Sequence, residues 1–352
     1  MTASGPAAVI ILAAGEGTRM RTATPKMLHE VCGRAMLGHV IAAARELRPQ
    51  RLVLVVSDAN GQVARYVREH CPEAELFVQE RQGSWGTGHA VRTVIESVGI
   101  IQGTVIVLFS DTPMLRGETL MKLAAEHQAT GAAVTVLTTR APQPKGYGRI
   151  LRDESGQVTG IVEEADATEA QRAVTEISSG MFAFDGELLA DAVKRVPAAR
   201  ATGEEYLTEV PAILRADGHV VGSASCEDFD EIQGVNNQEQ LARARGVLNS
   251  RLLAHWMAAG VTIVDPASTW LDVDVTIEPG AFISPGTQLE GRTTVAAGAR
   301  VGPGCLLRDT AVGAGATVLQ AVCEAAVIPP GAVVGPFAHL TPAAGVRADK
   351  EN

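Results

Sequence analysis

Aromatic side chains are scarce in this chain: three Trp, three Tyr and seven Phe make up 4% of 352 residues. Core packing must therefore rest on Val, Leu, Ile and Ala. Cysteine is sparse too, with Cys32, Cys71, Cys226, Cys305 and Cys323 scattered, odd in number and lacking a Cys-x-x-Cys pair. That usage fits a reducing cytoplasm and structural thiols. Basic residues are outnumbered, 30 Lys and Arg against 40 Asp and Glu, for a net charge of −10. A general nucleic-acid or anionic-membrane partner is argued against, and an anionic substrate must be met by local cations. No apolar run reaches membrane-spanning length and no cationic, apolar-cored leader is visible, so a cytoplasmic protein is expected. His29, His39, His89 and His255 lack metal spacing, and neither a Cys/His cluster nor a His-Glu-x-x-His helix supports zinc.

What is present begins near the start. Val9-Ile10-Ile11-Leu12 is an apolar run of strand length that stops at Ala13-Ala14-Gly15-Glu16-Gly17-Thr18-Arg19-Met20, with Pro25-Lys26 following. A Gly-rich turn after a first strand lets backbone N–H groups approach a phosphate chain. Arg19 and Lys26 supply the positive charge that a polyanion needs. The loop is not a Walker loop, since Gly17 is followed by Thr-Arg, and the dinucleotide fingerprint would need a glycine where Met20 stands.

The length suits about two domains. After a strand at 8–12, helical spacing runs from Lys26 to about Leu47. Strands follow at 51–57, 75–78, 104–109 and 132–138, with helices at 62–70, 88–97 and 117–128 between them. Strands apolar on both faces and alternating with helices predict a parallel doubly wound α/β sheet, whose ligands sit at the carboxyl ends of strands. From 140 to 228 the alternation loosens into short β segments (149–152, 158–163, 176–184, 219–225) and helices near 186–195 and 206–216. This reads as a mixed extension closing over the pocket. A long helix spans about 238–259.

Asp111 ends an apolar strand, where a carboxylate can hold Mg²⁺ beside substrate phosphates or simply cap the turn. Its place beside the Gly loop favours the metal. Asn236 is a weaker second oxygen donor, with Asn237 better placed as the N-cap of the following helix. Gly86-Thr87-Gly88-His89 is a small-residue turn into a helix, suited either to close contact with a base or ribose or to a helix start needing little bulk. Glu163-Glu164 reads most simply as a solvated face; the alternative is that one carboxylate binds sugar hydroxyls in the closing extension.

After Gly260 the pattern changes. Leu271, Ile277, Ile283, Leu289, Val295, Val301 and Leu307 stand six residues apart; the register slips at Val312 and Val318, then resumes at Ile328, Val334, Leu340 and Val346. An apolar residue every six positions is the hexapeptide repeat of a β-helix.

Leu-Ala-Ala-Gly-x-Gly-Thr-Arg-Met with Pro-Lys resembles the signature of sugar-phosphate nucleotidyltransferases. With Gly86-Thr87, Asp111, Gly146-Tyr147-Gly148-Arg149, Gly160-Ile161-Val162-Glu163 and Gly234-Val235-Asn236-Asn237, the chain resembles the bacterial N-acetylglucosamine-1-phosphate uridyltransferase family, whose bifunctional form carries an acetyltransferase β-helix. The resemblance implies a Rossmann-like nucleotidyltransferase domain over 1–237, a linking helix over 238–260 and a short, partial left-handed β-helix of hexapeptide repeats over 261–352. It implies a homotrimer using Mg²⁺, UTP and N-acetylglucosamine 1-phosphate in cell-wall precursor (peptidoglycan) synthesis. Carried over, Arg19 and Lys26 are catalytic at the phosphates. Leu12, Ala13, Ala14, Gly15, Gln79, Gly86 and Thr87 bind the nucleotide. Gly148, Glu163, Ser178 and Asn236 serve the sugar, and Asp111 with Asn236 holds the metal. Three positions depart from the family pattern. The stretch from Gln79 to Trp85 is two residues longer, Ser110 replaces a glycine, and Ser178 replaces an asparagine. The β-helix ends early against that pattern, so acetyl transfer is expected to be absent. The rival readings are a different sugar or nucleotide, and a silent nucleotide-sugar-binding regulator.

Overall fold

The structure is a computed structural model that describes residues 5–80, 85–199 and 203–342. The longer loop between Gln79 and Trp85 and the repeat position Val346 therefore lie wholly or partly outside the described residues. Two compact units are present. One runs through Asn237 without residues 30–35, and the other joins Glu30–Ala35 to the chain from Gln238 onward.

In chain order the elements are β1 (Ala8–Ala13), β2 (Glu30–Val31), β3 (Arg34–Ala35), α1 (Met36–Glu46), β4 (Arg51–Val56), α2 (Gln62–His70) and β5 (Glu75–Val78). Next come α3 (Thr87–Val98), β6 (Thr104–Phe109), α4 (Gly117–Thr130), β7 (Val134–Arg140), β8 (Arg149–Arg152) and β9 (Val158–Val162). They are followed by α5 (Glu169–Arg172), β10 (Glu176–Asp185), α6 (Gly186–Ala192), α7 (Val210–Ala216), β11 (Val221–Ser225) and α8 (Gln238–Ala258).

The first unit is built on one sheet in the order β11-β7-β10-β6-β1-β4-β5, with β8 and β9 branching from β10. β1 lies parallel to β4 and β6, with Ile10 opposite both Val53 and Val107. Successive strand residues point to opposite faces. Ile10, Val53 and Val107 pack with Val91, Val94 and Leu189 on one face; Ile11, Leu54 and Ile106 pack with Leu37, Val40 and Leu120 on the other. A sheet covered on both faces leaves its strand ends as the place for chemistry. Leu12 pairs with Phe109, so the Gly loop after β1 and Ser110-Asp111 after β6 emerge side by side.

The structure corrects two of the sequence expectations. The helix expected from Lys26 begins only at Met36; before it come a 3₁₀ turn, Lys26–Leu28, and the β2–β3 hairpin. Cys32 and Gly33 both have positive φ, 48° and 76°, the pairing that a tight two-residue hairpin turn requires. The segment 176–184, expected within a mixed extension of the same domain that closes over the pocket, is instead built into the main sheet. As β10 it sits in the middle of the sheet, antiparallel to both β6 and β7. Phe182 and Phe184 fill one core while Met181 and Ala183 fill the other, as a strand covered on both faces does.

The second unit is a left-handed parallel β-helix. Its two- and three-residue strands form three parallel sheets, one for each side of the coil. Inward residues such as Ile283, Leu289, Val301 and Leu307 are fully buried and form a separate core. Buried Asn249 of α8 donates to the Thr269 carbonyl at 2.8 Å and accepts from Leu271 N–H at 2.9 Å, satisfying the backbone of the first coil. The register slip also has a structural cause. Leu307 pairs with Cys323, so Cys323 is an inward repeat position, fully buried. Three sides are one residue short, and each turns on a non-glycine residue with positive φ: Asp309 at 48°, Gln320 at 43° and Ala325 at 47°. Among the described residues no helix is long and apolar enough to cross a membrane.

Candidate functional site

A cleft of about 520 Å³ opens at the carboxyl ends of β1 and β6. Leu12, Ala14, Gly15, Arg19, Lys26, Gln79, Gly86, Thr87, Asp111 and Asn236 all line it. Ala13 points its methyl into the core on the other face and borders a neighbouring depression instead.

At one end of the cleft four polar side chains converge. Lys26 Nζ donates to Asp111 Oδ2 at 2.5 Å and to Asn236 Oδ1 at 2.9 Å. Arg19 donates to the same Asn236 oxygen, also at 2.9 Å. Val235 N–H donates to the Asp111 carbonyl at 2.9 Å, so the loop after β6 and the loop before α8 are held together. Gly17 makes this possible. It has φ 63°, and a Cβ there would lie 2.3 Å from Lys26 Cβ. Any side chain would displace the lysine. Asp111 and Asn236 thus present one carboxylate and one amide oxygen beside two cations. This donor set fits Mg²⁺, which takes one or two protein oxygens and completes its shell with water and substrate phosphate. No denser group of His, Cys, Asp and Glu exists among the described residues.

The other end of the cleft is the turn into α3. Gln79 Nε2 donates to the Gly86 carbonyl at 2.9 Å, and Leu207 N–H donates to Thr87 Oγ1 at 2.9 Å. His89, beside Gln79, is held below the usual imidazole pKa, first by burial and then by Arg92. Trp85, Glu204 and Tyr206 also line the cleft and were not among the residues expected from sequence. The 206–216 stretch reads as one helix from its apolar spacing, but residues 203–206 precede the helical turns, which begin at Leu207.

Of the four residues assigned to the sugar, Gly148, Glu163 and Ser178 gather separately, while Asn236 stands with Lys26 and Arg19. Ser178 N–H donates to the Gly148 carbonyl at 2.9 Å. A Cβ on Gly148 would approach Glu163 Oε1 to 3.5 Å. The Ser178 hydroxyl accepts from Gly180 N–H at 3.1 Å, at the register shift in β10. Glu163 accepts from the Thr208 hydroxyl at 2.7 Å. Burial pushes its carboxyl above the usual range, against the pull of Thr208, with Asp166 and Glu204 adding like charge. Buried Arg149 steadies this end, donating to the Tyr147 carbonyl and pairing with Glu164 at 2.5 Å.

Comparison with known proteins bears on the chain as a whole. A family described as the MobA-like NTP transferase domain matches residues 9–179. The Bifunctional protein GlmU of Streptomyces avermitilis is 56% identical over 344 residues, covering 97% of this chain and 71% of that protein. The Bifunctional protein GlmU of Thermobifida fusca is 55% identical over 94% of this chain and 69% of its own length. That of Mycobacterium bovis is 46% identical over 99% and 71%. A nucleotidyltransferase sheet, a Gly-rich loop flanked by Arg19 and Lys26, a β-helix behind them in sequence and identity at this level over nearly the whole chain lead to one assignment: the chain belongs to the GlmU family.

Proposed function

We propose that the chain transfers UMP from UTP to N-acetylglucosamine 1-phosphate, releasing pyrophosphate and making UDP-N-acetylglucosamine for cell-wall precursors in the cytoplasm. The observation that carries this reading is the convergence of Lys26, Arg19, Asp111 and Asn236 beside a Gly loop that only glycine at position 17 permits.

The sugar-phosphate oxygen attacks the α-phosphorus in line with the leaving pyrophosphate. That oxygen is already anionic, so no general base is required. Lys26 and Arg19 bind the phosphates and offset the charge that shifts onto the leaving group, while the Gly loop presents backbone N–H groups to the chain of phosphates. Magnesium, held by Asp111 and Asn236 with phosphate oxygens, would neutralise further charge on the triphosphate. At the far end Gln79, Gly86 and Thr87 orient the base; Gly148 and Glu163 orient the sugar. Fixing both substrates in one geometry supplies the remaining rate.

Homotrimer formation through the β-helix is part of this reading. Val327, Val333 and Phe337 are 72%, 71% and 82% exposed, an apolar surface that copies of the chain would cover. Pyrophosphate release across a matrix of UTP, CTP and dTTP with N-acetylglucosamine 1-phosphate and glucose 1-phosphate, with and without Mg²⁺, tests the reaction. Turnover only with UTP, the N-acetylated sugar and Mg²⁺ supports it. Preference for another pair reassigns the substrate, and none at all overturns it.

A further inference from the structure

Residues 203–206 run beside the turn that opens α3 and are joined to it by their backbone. Glu205 N–H donates to the Trp85 carbonyl and Gly88 N–H donates to the Glu205 carbonyl, each at 2.7 Å. Side chains alternate along an extended segment. Glu204 and Tyr206 face the cleft, so Glu205 goes the other way, where it is 4% exposed. A buried carboxylate needs a cation, and Arg92 of α3 supplies one, meeting Glu205 Oε1 at 2.9 Å. Glu205 Oε2 is buried with no hydrogen-bond partner among the described residues. An ion pair that leaves one oxygen unsatisfied is a poor stabiliser beside an apolar pair of the same volume. Stability alone does not account for it.

We infer that the Arg92–Glu205 pair is a positioning device for nucleotide selection, locking the 203–207 strap to the 85–88 turn so that Gly86 and Thr87 meet the base in one fixed register. The inference rests on the uridyltransfer reading and deepens it. Three contacts carry the coupling. Gly86 has φ 112° and a Cβ there would lie 2.6 Å from the Glu205 carbonyl oxygen, so strap and turn touch with no side chain between them. Leu207, two residues beyond Glu205, donates its N–H to Thr87 Oγ1 at 2.9 Å. Gln79 donates to the Gly86 carbonyl from the opposite side. A strap that slides relative to α3 therefore moves the Gly86 carbonyl and the Thr87 hydroxyl together. Arg92 and Glu205 act through these groups and touch no substrate themselves.

The double variant Arg92→Gln/Glu205→Gln tests this, because exchanging both charged groups for neutral amides leaves no unpaired buried charge to unfold the chain. Steady-state kinetics with UTP and CTP are compared with the unaltered protein, with circular dichroism and thermal melting as the check on folding. The expected result is a folded protein whose KM for UTP rises about tenfold or more, as small misplacements of a positioning group produce. Its preference for UTP over CTP should fall, while KM for the sugar phosphate is unchanged. Arg92→Lys, which keeps the charge, should restore part of the preference. A folded double variant with unaltered UTP preference overturns the inference and leaves the uridyltransfer reading standing. A variant that loses kcat equally for both nucleotides overturns it as well, since that is the mark of a merely structural pair. An unaltered protein that turns over no UTP removes the function reading and this inference together.

Discussion

The β-helix and the nucleotidyltransferase sheet both turn their chain with residues of positive φ, and they treat those positions differently. In the β-helix several turns leave room for a side chain: a Cβ on Gly286 or Gly298 would meet nothing nearer than 3.7 Å, while Gly291, Gly302 and Gly335 are crowded. Six-residue sides use glycines such as Gly286 at 68° and Gly298 at 71°, while five-residue sides use Asp309, Gln320 or Ala325 near the same angle. In the sheet unit Gly17, at 63°, has no substitute, because the missing Cβ is where Lys26 stands. Repetition leaves one unit tolerant at its open turns, since each coil repeats the last. The other unit is intolerant at the ends of two strands, where two cations meet one amide oxygen and one carboxylate.

The comparison breaks most visibly if the shared group proves dispensable. Lys26→Ala is expected to lower kcat by about 100-fold or more, the usual consequence of deleting one preorganised charge at a transferring phosphoryl group. Stopped assays of pyrophosphate release under saturating UTP measure it. A near-normal kcat would take Lys26 out of the reaction. Asp111→Asn should leave the fold intact and raise the Mg²⁺ concentration for half-maximal rate. Even the outer partners of a metal ligand cost about tenfold in affinity when altered, and loss of the ligand's own charge should cost at least that. An unchanged Mg²⁺ requirement would make Asp111 a turn cap.

Glu163 sharpens the contrast within the sheet unit, because its carboxylate is partly buried without a cation in contact among the described residues. Its pKa lies above the usual range, first through burial. The folded state therefore holds that proton more tightly than the unfolded chain does. The resulting stabilisation is complete below the ordinary carboxyl pKa and is lost as pH rises through the raised value. Glu163→Gln should then melt higher than the parent at pH 7, with the difference vanishing in acid. The same change should raise KM for the sugar phosphate by roughly tenfold, the order expected for one hydrogen bond to a charged group. A melting difference independent of pH would show that Glu163 is not the titrating group.

Legibility in the sequence followed the same division. Asp111 was readable because it closes an apolar run, Lys26 because a Pro-Lys pair follows the Gly-rich turn, and Asn236 because the next helix needs only one asparagine of the Asn236-Asn237 pair as its cap. The β-helix was readable because its period repeats. The β2–β3 hairpin was not, since helical spacing continues across Cys32-Gly33 and the turn lies in two dihedral angles rather than in composition. The central place of β10 was hidden because a strand apolar on both faces does not name its neighbours. Cys323 escaped because cysteine does not stand out in a series of Val, Leu and Ile, although it fills the same inward position. Trp85, Glu204 and Tyr206 come to the cleft only through long-range pairing between residues 85 and 204, which no local pattern announces.

The smallest expected effect tests the tolerance of the β-helix directly. Ala325 is exposed and holds φ 47° while its N–H donates to the Arg308 carbonyl at 2.9 Å. The left-handed conformation costs a residue with a Cβ about 1–2 kcal/mol. Glycine removes that cost but loses about 0.4–1 kcal/mol through the greater freedom of its unfolded chain. Ala325→Gly should therefore stabilise the protein by about 0.5–1 kcal/mol, with kcat for uridyltransfer unchanged. Denaturant unfolding followed by circular dichroism reads the first quantity and pyrophosphate release the second. If glycine destabilises here, the five-residue turns depend on contacts of the alanine methyl. Those sides would then be as particular about their residues as the loop that holds Lys26, and the contrast between the two units would fail at its most tolerant point.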